Sequence, residues 1–276
     1  MDWGLVASYW PFALAMGITG VLSGVAAGLL GIGGGAVIVP ALANSLLLMG
    51  YDPAVVQHVA VGTSLAIIIP TGIMSARAHH KRGALDVGVL KLWVPFIVAG
   101  TFIGGLLAGW FSGDLLRIVF AVLAFLIAAN IIFSFQTKLM GHLKDVAWVH
   151  RLSAFVVGYL SSLMGIGGGS LTVPTLLAFG RTMHNAVGTS AAIGVAIAVS
   201  GTAGFLISGW GAADLPPGSV GFINLPALAL VGILAAIFAP AGAALAHRLD
   251  QKTLKYVFAA FLTVVGTNML WTVLQG

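Results

Sequence analysis

Leu30-Gly31-Ile32-Gly33-Gly34-Gly35-Ala36-Val37-Ile38-Val39-Pro40 decides the reading of this chain, because it returns as Met164-Gly165-Ile166-Gly167-Gly168-Gly169-Ser170-Leu171-Thr172-Val173-Pro174. Both copies lie between apolar runs with no charged residue nearby, so neither reads as a surface turn. Gly in a helix interior costs about 1 kcal/mol relative to Ala, so four glycines within five residues weaken a continuous helix by roughly 3 to 4 kcal/mol. Pro40 and Pro174, five residues beyond the last Gly, add to the disruption. One alternative keeps the helices continuous and uses Gly31, Gly35, Gly165 and Gly169 as small packing positions. That accounts for the outer pair and not for the glycines between. The sharper reading is a helix that stops and restarts near Ala36 and near Ser170, turning free N–H groups and a positive dipole end toward whatever lies at the break.

The surroundings fix the class. Of 276 residues, 59% are hydrophobic and 7% charged, with a mean hydropathy of +1.09, which is the composition of a polytopic membrane protein. Cysteine is absent, so disulfides, thiolate metal sites and thiol catalysis are excluded. The net charge of +5 sits in clusters between apolar spans and reads as topology signal, not as nucleic-acid affinity. Met1-Asp2-Trp3 lacks a basic leader, so the N-terminus is expected to be retained.

Apolar spans run from Trp10 to Leu30, Ala36 to Leu48, Val55 to Ala76, Leu90 to Trp110 and Leu115 to Phe133. The second half retraces them: Ser153 to Leu163, the second break, then Leu171 to Phe179. His58-Val59-Ala60-Val61-Gly62-Thr63-Ser64 is answered by His184-Asn185-Ala186-Val187-Gly188-Thr189-Ser190, and Leu116-Arg117-Ile118-Val119-Phe120-Ala121 by Leu254-Lys255-Tyr256-Val257-Phe258-Ala259. The expected fold is therefore all-α, with two membrane repeats (1–135 and 153–276) joined by a cytoplasmic linker (136–152). Each repeat has a Gly-broken hairpin and three further helices, giving about eight full spans plus broken or re-entrant segments.

Loop charge orients the repeats. Arg77 to Arg82, the linker, and Arg248 to Lys255 are basic, whereas the loops equivalent to the first and last of these, Trp210 to Pro217 and Ser112 to Asp114, are not. The positive-inside rule places the basic segments in the cytoplasm, so the repeats are inverted and both termini are periplasmic in a bacterial inner membrane. On this reading the Arg77 to Arg82 cluster is an orientation anchor.

The two breaks then meet where a small anion would bind, with Gly33, Gly34, Gly35, Gly167, Gly168 and Gly169 supplying backbone N–H groups. Ser170, Thr63, Ser64, Thr189 and Ser190 supply hydroxyls, and Thr172 is a further hydroxyl donor. All seven acidic residues fall in loops or near span ends, which disfavours a cation path. His58 and His184 are candidates for proton coupling, and carbonyls exposed at the break for Na⁺. Nothing reads as an enzyme: there is no Gly-x-Ser-x-Gly, no His-x-x-x-His and no intramembrane acid. No metal or cofactor is expected. A non-transporting assembly subunit is the alternative, although it would not require a duplicated break.

Paired Gly-Ile-Gly-Gly-Gly…Val-Pro motifs, each followed by Ala-Val-Gly-Thr-Ser, resemble the TauE/SafE family of sulfite exporters and organosulfonate permeases. The resemblance runs from about Ala15 to Trp271. It implies a secondary transporter, commonly an exporter, of a small sulfur-containing anion such as sulfite or a short sulfonate. A permease for another small anion, and a homodimer, are left open.

Overall fold

A computed structural model describes residues 3–30, 34–133, 142–246 and 251–275. Among the described residues there are ten helices: α1 (Trp3–Leu30), α2 (Gly35–Leu48), α3 (Pro53–Lys81), α4 (Val87–Ala108), α5 (Gly113–Phe133), α6 (Ala147–Met164), α7 (Gly169–Ala178), α8 (Met183–Ser208), α9 (Leu225–Ala246) and α10 (Gln251–Gln275). Local chemistry sets many of the starts. Asp52 accepts the Ala54 N–H at 2.8 Å with Pro53 at the first helical position of α3. Asp86 caps α4 through the Val89 N–H at 3.0 Å, and Thr182 caps α8 through the Asn185 N–H at 3.3 Å.

Seven of these helices are long and apolar enough to cross a membrane: α1, α3, α4, α5, α8, α9 and α10. The expected eighth, α6, has 18 residues but opens on Trp148, His150 and Arg151, whose polarity keeps it out of that set. It also begins at Ala147, so the last residues assigned to the linker are helical. The limbs after the breaks are short. α2 has 14 residues and α7 has 10, or about 21 and 15 Å at ~1.5 Å per residue, against ~30 Å of hydrocarbon.

Helix pairing is reciprocal between the halves. α1 runs along α9 and α6 along α4; α4 packs on α8 and α9 on α3; α3 meets α8, α5 meets α10, and the short limbs α2 and α7 lie on α3 and α8. The core is apolar and continuous, with Trp93, Phe120, Phe205, Leu42, Leu65 and Ile97 fully buried at its largest positions. Before α9 the chain makes a small antiparallel hairpin, β1 (Ser219–Val220) with β2 (Ile223–Asn224), pairing Ser219 with Asn224 and Val220 with Ile223.

Candidate functional site

The second break is fully described. α6 ends at Met164, Gly165 takes the left-handed conformation (φ 65°), and α7 restarts at Gly169 behind Gly168 (φ −54°). In the first, α1 ends at Leu30 and α2 restarts at Gly35 behind Gly34 (φ 75°); Gly33 lies outside the described residues. Both restarts fall one residue before the expected Ala36 and Ser170.

The breaks touch. A Cβ on Gly35 would overlap the Gly165 carbonyl and stand 3.0 Å from the Ile166 Cα. Ser64, near the middle of α3, donates its hydroxyl to the same Gly165 carbonyl at 2.7 Å. Gly168 lies against the middle of α8, where a Cβ would be 3.2 Å from both the Gly194 N–H nitrogen and Ile197 Cδ1. The breaks therefore sit halfway along the long helices α3 and α8.

Beside the second break is a cavity of about 360 Å³. Gly167, Gly168 and Gly169 line it, with Ser190, Ala191 and Gly194 of α8, Ala27 and Gly28 of α1, and Ala236, Ala239 and Pro240 of α9. Along α3 the lining continues through Ile68, Thr71, Gly72, Ser75 and His79 to Arg82. Gly167 and Gly168 are buried and Arg82 is exposed, so the cavity deepens from the end of α3 toward the break. Among the described residues its lining contains no acid. Thr172, in the first turn of α7, is wholly buried. Its Oγ1 has no hydrogen-bond partner among the described residues and stands 3.2 Å from where a Gly168 Cβ would be. A second cavity, about 460 Å³, lies away from the breaks between the end of α2 and the start of α9, with an apolar lining that includes Leu46, Met49, Pro217 and Leu230.

The expected hydroxyls divide. Ser190 reaches the cavity while returning its proton to the Val187 carbonyl at 2.8 Å. Ser170 follows Gly169 and is half-buried. Thr63 and Thr189 are elsewhere: Thr63 Oγ1 accepts the Asn224 N–H at 2.8 Å and Thr189 Oγ1 accepts the Asp86 N–H at 2.9 Å. They and Ser64 join the two halves and do not line the cavity. The preceding glycines serve the same contacts, since a Cβ on Gly62 would strike the Phe222 carbonyl, and one on Gly188 would lie 2.5 Å from the Ala84 carbonyl.

His58 Nε2 faces the Ala108 and Phe111 carbonyls at 2.9 and 3.1 Å, and its ring lies 4.8 Å from that of Phe222. It is not part of the cavity. His184 is exposed at the start of α8, within electrostatic reach of His79. The described acids Asp52, Asp86, Asp114, Asp145 and Asp214 all sit at helix starts or in loops.

Sequence reasoning passed over Thr71, Ser75 and His79. Their spacing, every fourth residue along a helix that ends in basic side chains, was a readable signal. It also passed over a polar knot at the linker. Trp93 Nε1–H donates to His150 Nδ1 at 2.9 Å, and since indole only donates, the ring proton of His150 is on Nε2, which faces Asp145 Oδ1 at 2.6 Å. Phe179 stacks on the same imidazole at 3.8 Å. These residues are far apart in the chain, and no local pattern announces them.

A helical membrane bundle with two interrupted helices in contact near mid-span, one of them opening on a mostly apolar cavity with a few polar side chains, has the architecture of a secondary transporter. The chain matches the family model described as "Sulfite exporter TauE/SafE" over residues 16–269. It is 38% identical to a "Probable membrane transporter protein" of Haemophilus influenzae over 94% of this chain and 98% of that one. It is 30% identical to "Probable membrane transporter protein YunE" of Bacillus subtilis, over 92% and 96%. No solved structure matches it. The chain belongs to the TauE/SafE family, and it is a multi-pass membrane transporter.

Proposed function

We propose that this transporter moves a small sulfur-containing oxyanion, sulfite or a short organosulfonate, outward across a bacterial inner membrane through the cavity beside the second break. The observation that carries the reading is the cavity's lining: the glycine-flanked start of α7, the Ser190 hydroxyl, the His79 ring and the Arg82 guanidinium at the mouth, with no carboxylate among the described lining residues. Helix starts and hydroxyls offer donors to an acceptor-rich ion. A water occupies about 30 Å³, so about 360 Å³ leaves room for such an ion with several waters.

The binding groups would be the N–H groups of Gly167, Gly168 and Gly169 with Ser170, Ser190 and Thr172. Gly33, Gly34 and Gly35 would contribute from the first break. The reciprocal helix pairing fits a duplicated fold; the inverted arrangement, with the α3 end cytoplasmic and the termini periplasmic, rests on the distribution of loop charge. Of the two candidate coupling histidines, His184 is exposed at the start of α8, whereas the His58 ring is held by carbonyls.

The test is flux into proteoliposomes of labelled sulfite, sulfate, sulfoacetate and taurine, under a proton gradient and separately under a Na⁺ gradient. Sulfite or sulfoacetate is expected to move and taurine, with its ammonium group, to be excluded. Movement of only a cationic or neutral solute would remove the anion reading.

A further inference from the structure

Thr71, Ser75 and His79 recur at every fourth residue of α3, Arg82 follows three later, and all four line the cavity. At 3.6 residues per turn they share one face, and at ~1.5 Å per residue the stripe is about 16 Å long. It joins the level of the glycine break to the exposed end of the helix. Thr71 donates its proton to the Ile68 carbonyl at 3.1 Å and so offers the cavity mainly a lone pair and a methyl. The outer rungs differ. His79 Nδ1 is buried without a hydrogen-bond partner, and Arg82 takes part in no ion pair among the described residues. The acid closest in sequence, Asp86, caps α4 and faces Arg181 at 3.6 Å.

A guanidinium at the mouth of a low-dielectric cleft without a counter-ion focuses an attractive field on anions. Arg77, His80 and Lys81 belong to the same basic cluster but are not among the residues lining the cavity. The cluster therefore divides into three residues outside the cavity lining and two donors, His79 and Arg82, within it.

We propose that this stripe is the anion's path between the exposed end of α3 and the glycine break, with Arg82 as the capture residue and His79 as the next binding station. The proposal rests on the anion reading above and adds specificity-determining residues to it. The ligand class is a small oxyanion, which Arg82 engages in fork geometry and His79 through a single ring donor.

Two measurements on the full chain separate this proposal from its parent. The chain contains no cysteine, so a Ser75→Cys variant carries a single thiol. In proteoliposomes this thiol is treated with anionic and cationic methanethiosulfonates of similar size. The anionic reagent should react faster by on the order of tenfold. The preference should collapse when Arg82→Gln is added and persist with Lys81→Gln. No preference, or equal loss with Lys81→Gln, overturns the path, because surface charge alone would then account for it. In the second measurement, on labelled sulfite flux, Arg82→Gln should raise the half-saturating concentration about tenfold, with most of the effect restored by Arg82→Lys and none produced by Lys81→Gln. If sulfite fails to move while the charge preference holds, the sulfite assignment falls and the path stands. If sulfite moves without any preference at Ser75→Cys, the path falls and the assignment stands.

Discussion

The Asn224 N–H donates to the Thr63 hydroxyl at 2.8 Å across 161 residues of sequence. Its counterpart in the other half is the Asp86 N–H on Thr189 at 2.9 Å. In both cases the donor is the residue that caps the fourth helix of one half, Asn224 through the Ala227 N–H and Asp86 through the Val89 N–H. The acceptor is the Gly-Thr-Ser threonine of the other half. The duplicated motif thus locks each half onto the helix start of its opposite.

That lock predicts a stability effect. Thr63 and Thr189 are 0% and 1% exposed, so a valine at either position leaves a buried N–H unpaired, at a cost of about 1 to 3 kcal/mol. Thr63→Val and Thr189→Val should each lower the thermal midpoint of the purified protein, and Thr63→Ser should not. Wild-type midpoints in both valine variants would show that the bonds carry no stability.

The division between what the sequence discloses and what it hides follows sequence distance. The breaks are legible because glycine density is a local property, and α2 and α7 start at Gly35 and Gly169 within a residue of the expected points. The roles of Thr63, Ser64 and Thr189 are hidden because their partners, Asn224, Gly165 and Asp86, are more than a hundred residues away. A membrane hydroxyl at a conspicuous motif looks the same on the page whether it faces a ligand or a neighbouring backbone. His79 and Arg82 are obscured for another reason: a basic cluster that ends a span is already explained by orientation. Only the helical phase separates the residues that turn inward.

The glycines of the two breaks should respond differently to a methyl group. Gly34 has φ 75° and its Cβ would stand 3.0 Å from the Ser23 carbonyl. Gly34→Ala should therefore destabilise by about 1 to 2 kcal/mol. Gly168 has φ −54°, where alanine is relaxed, and its contacts near 3.2 Å need only small shifts. Gly168→Ala should keep the protein monodisperse and near wild-type in thermal midpoint while reducing anion flux, because the methyl presses on the Gly194 backbone in the cavity lining and on the Thr172 hydroxyl. A Gly168→Ala variant with normal flux would remove Gly168 from the binding surface.

The inverted repeats proposed above would place the α3 end and the Trp210 to Pro217 loop on opposite sides of the membrane. Asp214 has φ 57°, so a cysteine is better placed at the exposed neighbour Ala213. An impermeant maleimide added to intact cells should label Ala213→Cys and leave His80→Cys unlabelled until the cells are opened. Labelling of both from outside would end the inverted arrangement.

The linker knot predicts an acid limit. The hydrogen bond from His150 is the largest influence on the Asp145 carboxyl and holds its pKa below the ordinary carboxylate value, helped by Arg181, whose guanidinium is 3.7 Å away. A carboxyl depressed in the folded protein contributes stability that is fully present above its unfolded pKa and is lost as pH falls through the folded one. The contribution should be complete at neutral pH, begin to fall only near the ordinary carboxylate value of about 4, and be lost below it as the pH passes through the depressed folded pKa. Asp145 is largely exposed, which keeps the effect small and sensitive to salt. The measurement is the protease resistance of the segment around Asp145 against pH. Wild type and Asp145→Asn should differ at pH 7 and converge in acid. Trp93→Phe removes the indole donor from His150 Nδ1 and should lower the protease resistance of the same segment at pH 7. Identical profiles for all three proteins would show that the Trp93–His150–Asp145 chain does not hold the linker.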